Sequence, residues 1–142
     1  MYYSMLVTAR LMQHLVPDGR LRRRESKTTD LRSELSKALQ SGRSAEALAL
    51  YKLIEKRKPD EPRWSHRKGD LLRRMGRDGD AVIAYERAVR LYSAKGFDAR
   101  AVATAKLLLA IDPSKVEVLE WVDSQVARRF ERQSRNTFQL TS

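Results

Sequence analysis

The segment GRSAEALALY, residues 42–51, returns 34 residues later as GRDGDAVIAY, residues 76–85. The identical positions pair Gly42 with Gly76, Arg43 with Arg77, Ala47 with Ala81 and Tyr51 with Tyr85. A glycine can end a helix in the left-handed conformation, an alanine lets a second helix approach closely, and a tyrosine four residues later fills the space beside it. The repeat therefore predicts pairs of packed α-helices.

Hydrophobic residues at helical spacing predict six helices in all. We expect the first to begin with a cap at Thr29 or Asp30, and the second to be capped by Ser44. The remaining helices are predicted over about 63–75, 78–96 and 98–111, followed by a sixth that begins near 116 and frays beyond Arg132. Because the connections are only two to six residues long, consecutive helices should be antiparallel.

These features resemble the tetratricopeptide repeat. The match is fullest over residues 62–95, at Gly69, Gly76, Ala81, Tyr85 and Ala88. Residues 28–61 match at Ala47, Tyr51 and Pro59.

The resemblance has departures. Ser93 stands where the family has a proline, and Leu35 and Ile54 stand where it has small residues. A third unit is indicated around Gly96, which follows Gly76 by 20 residues instead of 34. The first helix of that unit is therefore predicted to be missing or shared with the fourth helix.

The resemblance implies an all-α fold, a right-handed superhelical stack of antiparallel helix pairs (an α-solenoid) with about six helices over residues 28–132. Residues 1–27 are expected to form a basic N-terminal extension and residues 133–142 a frayed tail. The resemblance also implies a concave groove that holds an extended peptide or a partner helix, and no catalysis.

Positive charge is concentrated in two stretches of the chain. Of the net charge of +11, residues 1–27 contribute six Lys/Arg against two acidic residues, and residues 56–77 contribute nine against three. Such patches attract acidic peptides, nucleic acid or anionic lipid. A soluble protein that uses arginine on its solvated faces has the same composition.

The resemblance places one face of the first helix of each pair in the groove. The residues on it are Arg32, Arg63, His66, Asp70, Arg73 and Arg74. Guanidinium groups favour a carboxylate-rich ligand, because they pair with carboxylates through two parallel hydrogen bonds. The alternative is that Asp70 pairs internally with Arg73 or Arg74 and that the other charges are only solvated.

Two neighbouring expectations follow from the same register. Some family members hold a terminal carboxylate with a lysine and an asparagine, and His66 and Asp70 stand at those positions here, so that clamp is not expected. Arg67 and Lys68 are expected to face the second helix or solvent.

The N-terminal stretch forms a separate feature. An apolar segment is broken at Pro17 and followed by an arginine-rich arm, made of Arg20, Arg22, Arg23 and Arg24. This arm either contacts nucleic acid, anionic lipid or a protein, or belongs to a mobile extension with no dedicated ligand.

The sequence lacks the residues that several classes of catalytic and metal site require. There is no cysteine, and no phosphate-cradling, zinc-protease or nucleophile-elbow motif, so we expect neither an enzyme nor a bound metal or cofactor. The longest apolar run, residues 107–111, is too short to span a bilayer, so no integral membrane segment is expected.

The sequence therefore predicts a non-catalytic, cytoplasmic adaptor or scaffold that binds a protein or an acidic peptide in a basic groove. The alternative is sequence-independent nucleic-acid binding through residues 20–24 and 56–77. Self-association is a third hypothesis, because a short helical stack leaves apolar end faces.

Overall fold

The computed structural model describes residues 19–140, which are all-helical and contain no strand. The six helices are α1 (Gly19–Gln40), α2 (Ser44–Arg57), α3 (Pro62–Arg74), α4 (Asp78–Ala94), α5 (Asp98–Ile111) and α6 (Val116–Leu140). Each helix packs on the next, and α4 also packs on α6. The all-α class and the number of helices are confirmed for this part of the chain.

Glycine ends two of the predicted first helices as expected. Gly42 and Gly76 have φ values of 69° and 74°, in the left-handed region. The next amide in each case reaches back across the helix end, from Arg43 to the Ala38 carbonyl and from Arg77 to the Leu72 carbonyl, both at 2.9 Å. These hydrogen bonds satisfy carbonyl groups that the helix leaves free, and they turn the chain sharply into the next helix.

The repeated alanines and tyrosines occupy equivalent buried positions. Ala47 and Ala81 are fully buried, and Tyr51 and Tyr85 are at most 3% exposed. The core extends along the whole set of helices, from Leu31 on α1 to Val122 on α6. The periodicity of the sequence therefore marks the residues that hold consecutive helices together.

The turn at Gly96 repeats the geometry of the two earlier glycine turns. Gly96 ends α4 with a φ of 78°, and the Phe97 amide reaches back to the Tyr92 carbonyl at 2.9 Å. Helix α4 packs against both α3 and α5, which fits the prediction that the unit around Gly96 shares the fourth helix. Helix α6 follows α5 through residues 112–115, a turn that contains no glycine.

The helix caps differ from the prediction. Helix α1 begins at Gly19, so Thr29 and Asp30 lie within a helix and not at its cap. No glycine or proline interrupts residues 20–40, which allows the helix to continue toward the N-terminus. Ser44 is the first residue of α2 and makes no capping hydrogen bond, because the glycine turn places Arg43 at the N-cap.

The last helix is longer than predicted, since α6 continues past Arg132 to Leu140. Residues 1–18 of the predicted extension and residues 141–142 of the predicted tail lie outside the described residues. No helix of the described part combines the length and apolarity that crossing a membrane requires.

Candidate functional site

Three arginines from two helices surround the ring of Trp64 on α3. The guanidinium carbons of Arg32, Arg63 and Arg67 lie 5.2, 5.1 and 5.8 Å from the centre of the ring. Trp64 is only 4% exposed, with Tyr51 packed beside it at a ring distance of 6.4 Å. The ring quadrupole attracts each of these exposed cations by about 0.5–1 kcal/mol, which favours their positions over the indole.

Further arginines act on the buried tyrosines next to this cluster. Burial raises the pKa of Tyr51, and the positive charges of Arg67 and Arg74 oppose that rise. Burial likewise raises the pKa of Tyr92, against the positive charge of Arg100 above all.

Tyr85 connects one more arginine to the same surface. Its pKa is raised by burial and by a hydrogen bond to Asp70, and Arg73 opposes that rise. We name the arginines around Trp64 and these buried tyrosines the arginine face. Its members are Arg32, Arg63, Arg67, Arg73, Arg74 and Arg100.

Two side-chain hydrogen bonds join α3 to the helices that pack beside it, next to the arginine face. The Tyr85 hydroxyl donates to Asp70 Oδ1 at 2.5 Å. His66 Nδ1 lies 3.2 Å from the hydroxyl of Thr104 on α5, and the His66 ring meets the rings of Tyr85 and Tyr92 edge-on. Helices α3, α4 and α5 are therefore connected through polar side chains on one side of the molecule.

Most arginines of the arginine face have no close carboxylate. In the described part of the chain, Arg43, Arg77 and Arg90 form ion pairs with nearby carboxylates at 2.7–3.1 Å, whereas Arg57 and Arg87, outside the face, form none with a described carboxylate. On the arginine face only Arg63 comes within 4 Å of a described carboxylate, that of Glu61 at 3.8 Å. The face therefore keeps guanidinium groups able to pair with an external anion.

The six predicted groove residues lie around Trp64 and the neighbouring buried tyrosines. Arg32 and Arg63 stack on Trp64, whereas His66 and Asp70 bond to Thr104 and Tyr85. The alternative in which Asp70 pairs with Arg73 or Arg74 was wrong: among the described residues its hydrogen-bond donor is Tyr85, and the side-chain nitrogen within 4 Å of its other oxygen is His66 Nε2, at 3.8 Å.

Sequence reasoning missed two arginines and a threonine. Arg67 is exposed but lies over Trp64, and its spacing of four residues from Arg63 could have shown that both share a helix face. Arg100 and Thr104 belong to α5, and no local sequence pattern predicts that this helix contacts α3. Lys68 does not face solvent but pairs with Glu55 of α2.

The predicted arginine-rich arm, residues 20–24, belongs to the first turns of α1, and its side chains lie outside the described residues. No protein-family model and no curated protein matches this sequence. The geometry of the arginine face is therefore the feature of the described residues that bears on function.

Proposed function

We propose that this protein is a non-catalytic interaction module that binds an acidic peptide segment on the arginine face. The observation that carries the proposal is the set of three guanidinium groups over Trp64, of which only Arg63 has a described carboxylate within 4 Å. An unbound guanidinium is hydrated and mobile, and ordering it costs side-chain entropy. Trp64 meets part of that cost before a ligand arrives, so an approaching carboxylate meets arginines already in place.

The arrangement of the helices supports a groove in the stack of pairs. Arg32 on α1 contacts Trp64 on α3, and His66 on α3 contacts Thr104 on α5. These contacts support a stack in which α1, α3 and α5 lie along one side, as the tetratricopeptide resemblance implies. An extended peptide laid along that side would pass Arg32 on α1, the arginines of α3 and Arg100 on α5.

A binding titration tests the proposal. The probe is a fluorescein-labelled (Glu-Ser)5 peptide, followed by anisotropy at low salt of about 50 mM, where exposed charges are weakly screened. We expect the wild-type protein to bind it and the Arg73→Glu/Arg74→Glu variant to lose binding without a change in helical circular dichroism. Each reversal replaces an attraction with a repulsion at the face.

The matched control is Lys52→Glu/Lys56→Glu. These exposed lysines on α2 change the net charge by the same amount, and neither is among the charges that act on the three tyrosines. Binding that survives in the control identifies the arginine face as the site. Equal losses in both variants would leave only a net-charge effect, and absence of binding by the wild type would refute the proposal.

Nucleic-acid binding through residues 20–24 and 56–77 is the competing hypothesis, and the same assay with labelled (dT)15 tests it. With about six phosphate contacts, affinity should fall roughly a thousandfold between about 50 and 200 mM salt. Trp64 offers no platform for base stacking, because its ring is buried beneath the arginines. We therefore expect the peptide to compete effectively against the oligonucleotide for the arginine face.

A further inference from the structure

The hydrogen bonds around His66 fix which ring nitrogen carries the proton. The Thr104 hydroxyl donates its hydrogen to the Arg100 carbonyl at 2.7 Å, so it can only accept from His66 Nδ1. When the ring is neutral, Nδ1 is therefore the nitrogen that carries the proton, and Nε2 carries a lone pair and acts as an acceptor.

His66 Nε2 faces a second hydrogen-bond acceptor, the Asp70 carboxylate. Asp70 Oδ2 lies 3.8 Å from His66 Nε2, too far for a hydrogen bond, while its other oxygen is held by Tyr85. The partners that hold the two side chains, Tyr85 and Thr104, are both buried. The His66 and Asp70 side chains themselves are 27% and 44% exposed, so solvent or a ligand can reach the gap.

We propose that His66 Nε2 and Asp70 Oδ2, here named the acceptor pair, bind the ammonium group of a lysine within the acidic peptide. An ammonium nitrogen can lie at hydrogen-bonding distance from both atoms and give one hydrogen to each. The charge also matches, because the Asp70 carboxylate has no lysine or arginine within 4 Å among the described residues. The ligand is thus a segment in which acidic residues flank a lysine, and this inference rests on the proposed function.

The flanking acidic residues are part of the recognition. A lone ammonium would be repelled by the arginines around Asp70, whereas carboxylates on both sides of the lysine would pair with them. Alternation of charge along the peptide then matches alternation on the protein, with Asp70 between Arg67 and Arg73 on α3. Such complementarity selects one peptide register and rejects a shifted one.

Two peptides distinguish the acceptor pair from a basic surface that lacks it, because the two explanations predict opposite orders of affinity. The first is Glu-Glu-Glu-Lys-Glu-Glu-Glu, and the second has norleucine in place of lysine, which keeps the hydrocarbon chain and removes the ammonium. A basic surface without the acceptor pair would bind the norleucine peptide more tightly, because that peptide is more negative. The acceptor pair predicts that the lysine peptide binds about tenfold more tightly, as expected for a charge-assisted hydrogen bond.

Protein variants test whether the preference for the lysine peptide depends on Asp70 and His66. Asp70→Asn retains an oxygen for Tyr85 but loses the carboxylate charge, so the lysine preference should disappear. Asp123→Asn, an exposed position on α6, is the control with the same change in charge and should retain it. His66→Leu removes the other acceptor and should reduce the preference, which provides a second test if Asp70→Asn fails to fold.

The outcomes separate this inference from the proposed function. Equal binding of both peptides, tighter binding of the norleucine peptide, or a lysine preference that survives in Asp70→Asn and His66→Leu overturns the acceptor pair while leaving acidic-peptide binding in place. If neither these peptides nor (Glu-Ser)5 bind the wild-type protein, the proposed function fails, and this inference fails with it.

Discussion

Gly69 on α3 and the ring of Tyr85 on α4 fit together without space for a methyl group. A Cβ built on Gly69 would lie 2.8 Å from each of two ring carbons of Tyr85. The ring cannot easily move away, since Tyr85 is 1% exposed and its hydroxyl is bonded to Asp70. This contact brings α3 close to α4 and positions Asp70, so the packing of the pair and the geometry of the arginine face depend on each other.

The contact predicts that Gly69→Ala destabilises the protein. Overpacking should cost about 1–3 kcal/mol of unfolding free energy, more than the gain of up to about 1 kcal/mol from replacing a helical glycine. Urea denaturation measures the difference. Gly79→Ala is the control, because Gly79 lies in the first turn of α4 with open space around it and should tolerate or gain from alanine. Equal stabilisation of both variants would contradict the packing account.

A second prediction concerns alkaline pH. Burial raises the pKa of Tyr51, Tyr85 and Tyr92, and for Tyr85 the hydrogen bond to Asp70 raises it further. In the unfolded chain these groups lose their protons near pH 10, while the folded protein retains them. The stability they contribute is therefore complete below about pH 10 and is lost as the pH rises above that value.

Urea titrations between about pH 9 and pH 11 measure this fall. In Tyr85→Phe one such group is absent, so the stability of the variant should decline less steeply with pH. Absorbance at 295 nm (phenolate) should show that the native protein ionises its tyrosines later than the denatured protein does. Coincident titration of the two forms would refute the assignment.

A third prediction concerns the ion pair between α2 and α3. Lys68 and the hydroxyl of Ser65 both donate to Glu55, and the two charged side chains are only 17% and 13% exposed. Removing one partner leaves the other charge poorly solvated. Lys68→Met should therefore lower the unfolding free energy by about 1–3 kcal/mol.

The second variant of this cycle adds Glu55→Gln to Lys68→Met. The neutral amide can still accept from Ser65 and no longer leaves a charge unpaired, so part of the lost stability should return. Additive losses in the double variant would show that Glu55 and Lys68 do not interact energetically.

The local features of the fold could be predicted because they depend on residues that are close together in the sequence. Gly42 and Gly76 supply a conformation that other residues rarely adopt, and Ala81 and Tyr85 supply a close approach and a buried ring at one turn of helical spacing. The start of α1 could not be located, because serine, threonine and aspartate favour helix caps yet are tolerated inside a helix that packing supports.

The candidate site was predictable only where it follows one helix. Arg63, His66 and Asp70 share a face of α3, and their grouping follows from spacing. The hydrogen bond from His66 to Thr104 joins residues 38 positions apart, and it depends on how α5 packs against α3. The partner that fixes the His66 tautomer therefore could not be inferred from the sequence.

The most direct measurement of the central claim is an NMR titration of the protein with (Glu-Ser)5, following arginine Nε–H and tryptophan Nε1–H signals. We predict shifts at Arg32, Arg63, Arg67 and Trp64, together with unchanged signals from the ion-paired arginines, which are Arg43, Arg77 and Arg90. Shifts confined to the paired arginines, or no shift at Trp64 and its three arginines at saturating peptide, would contradict the account.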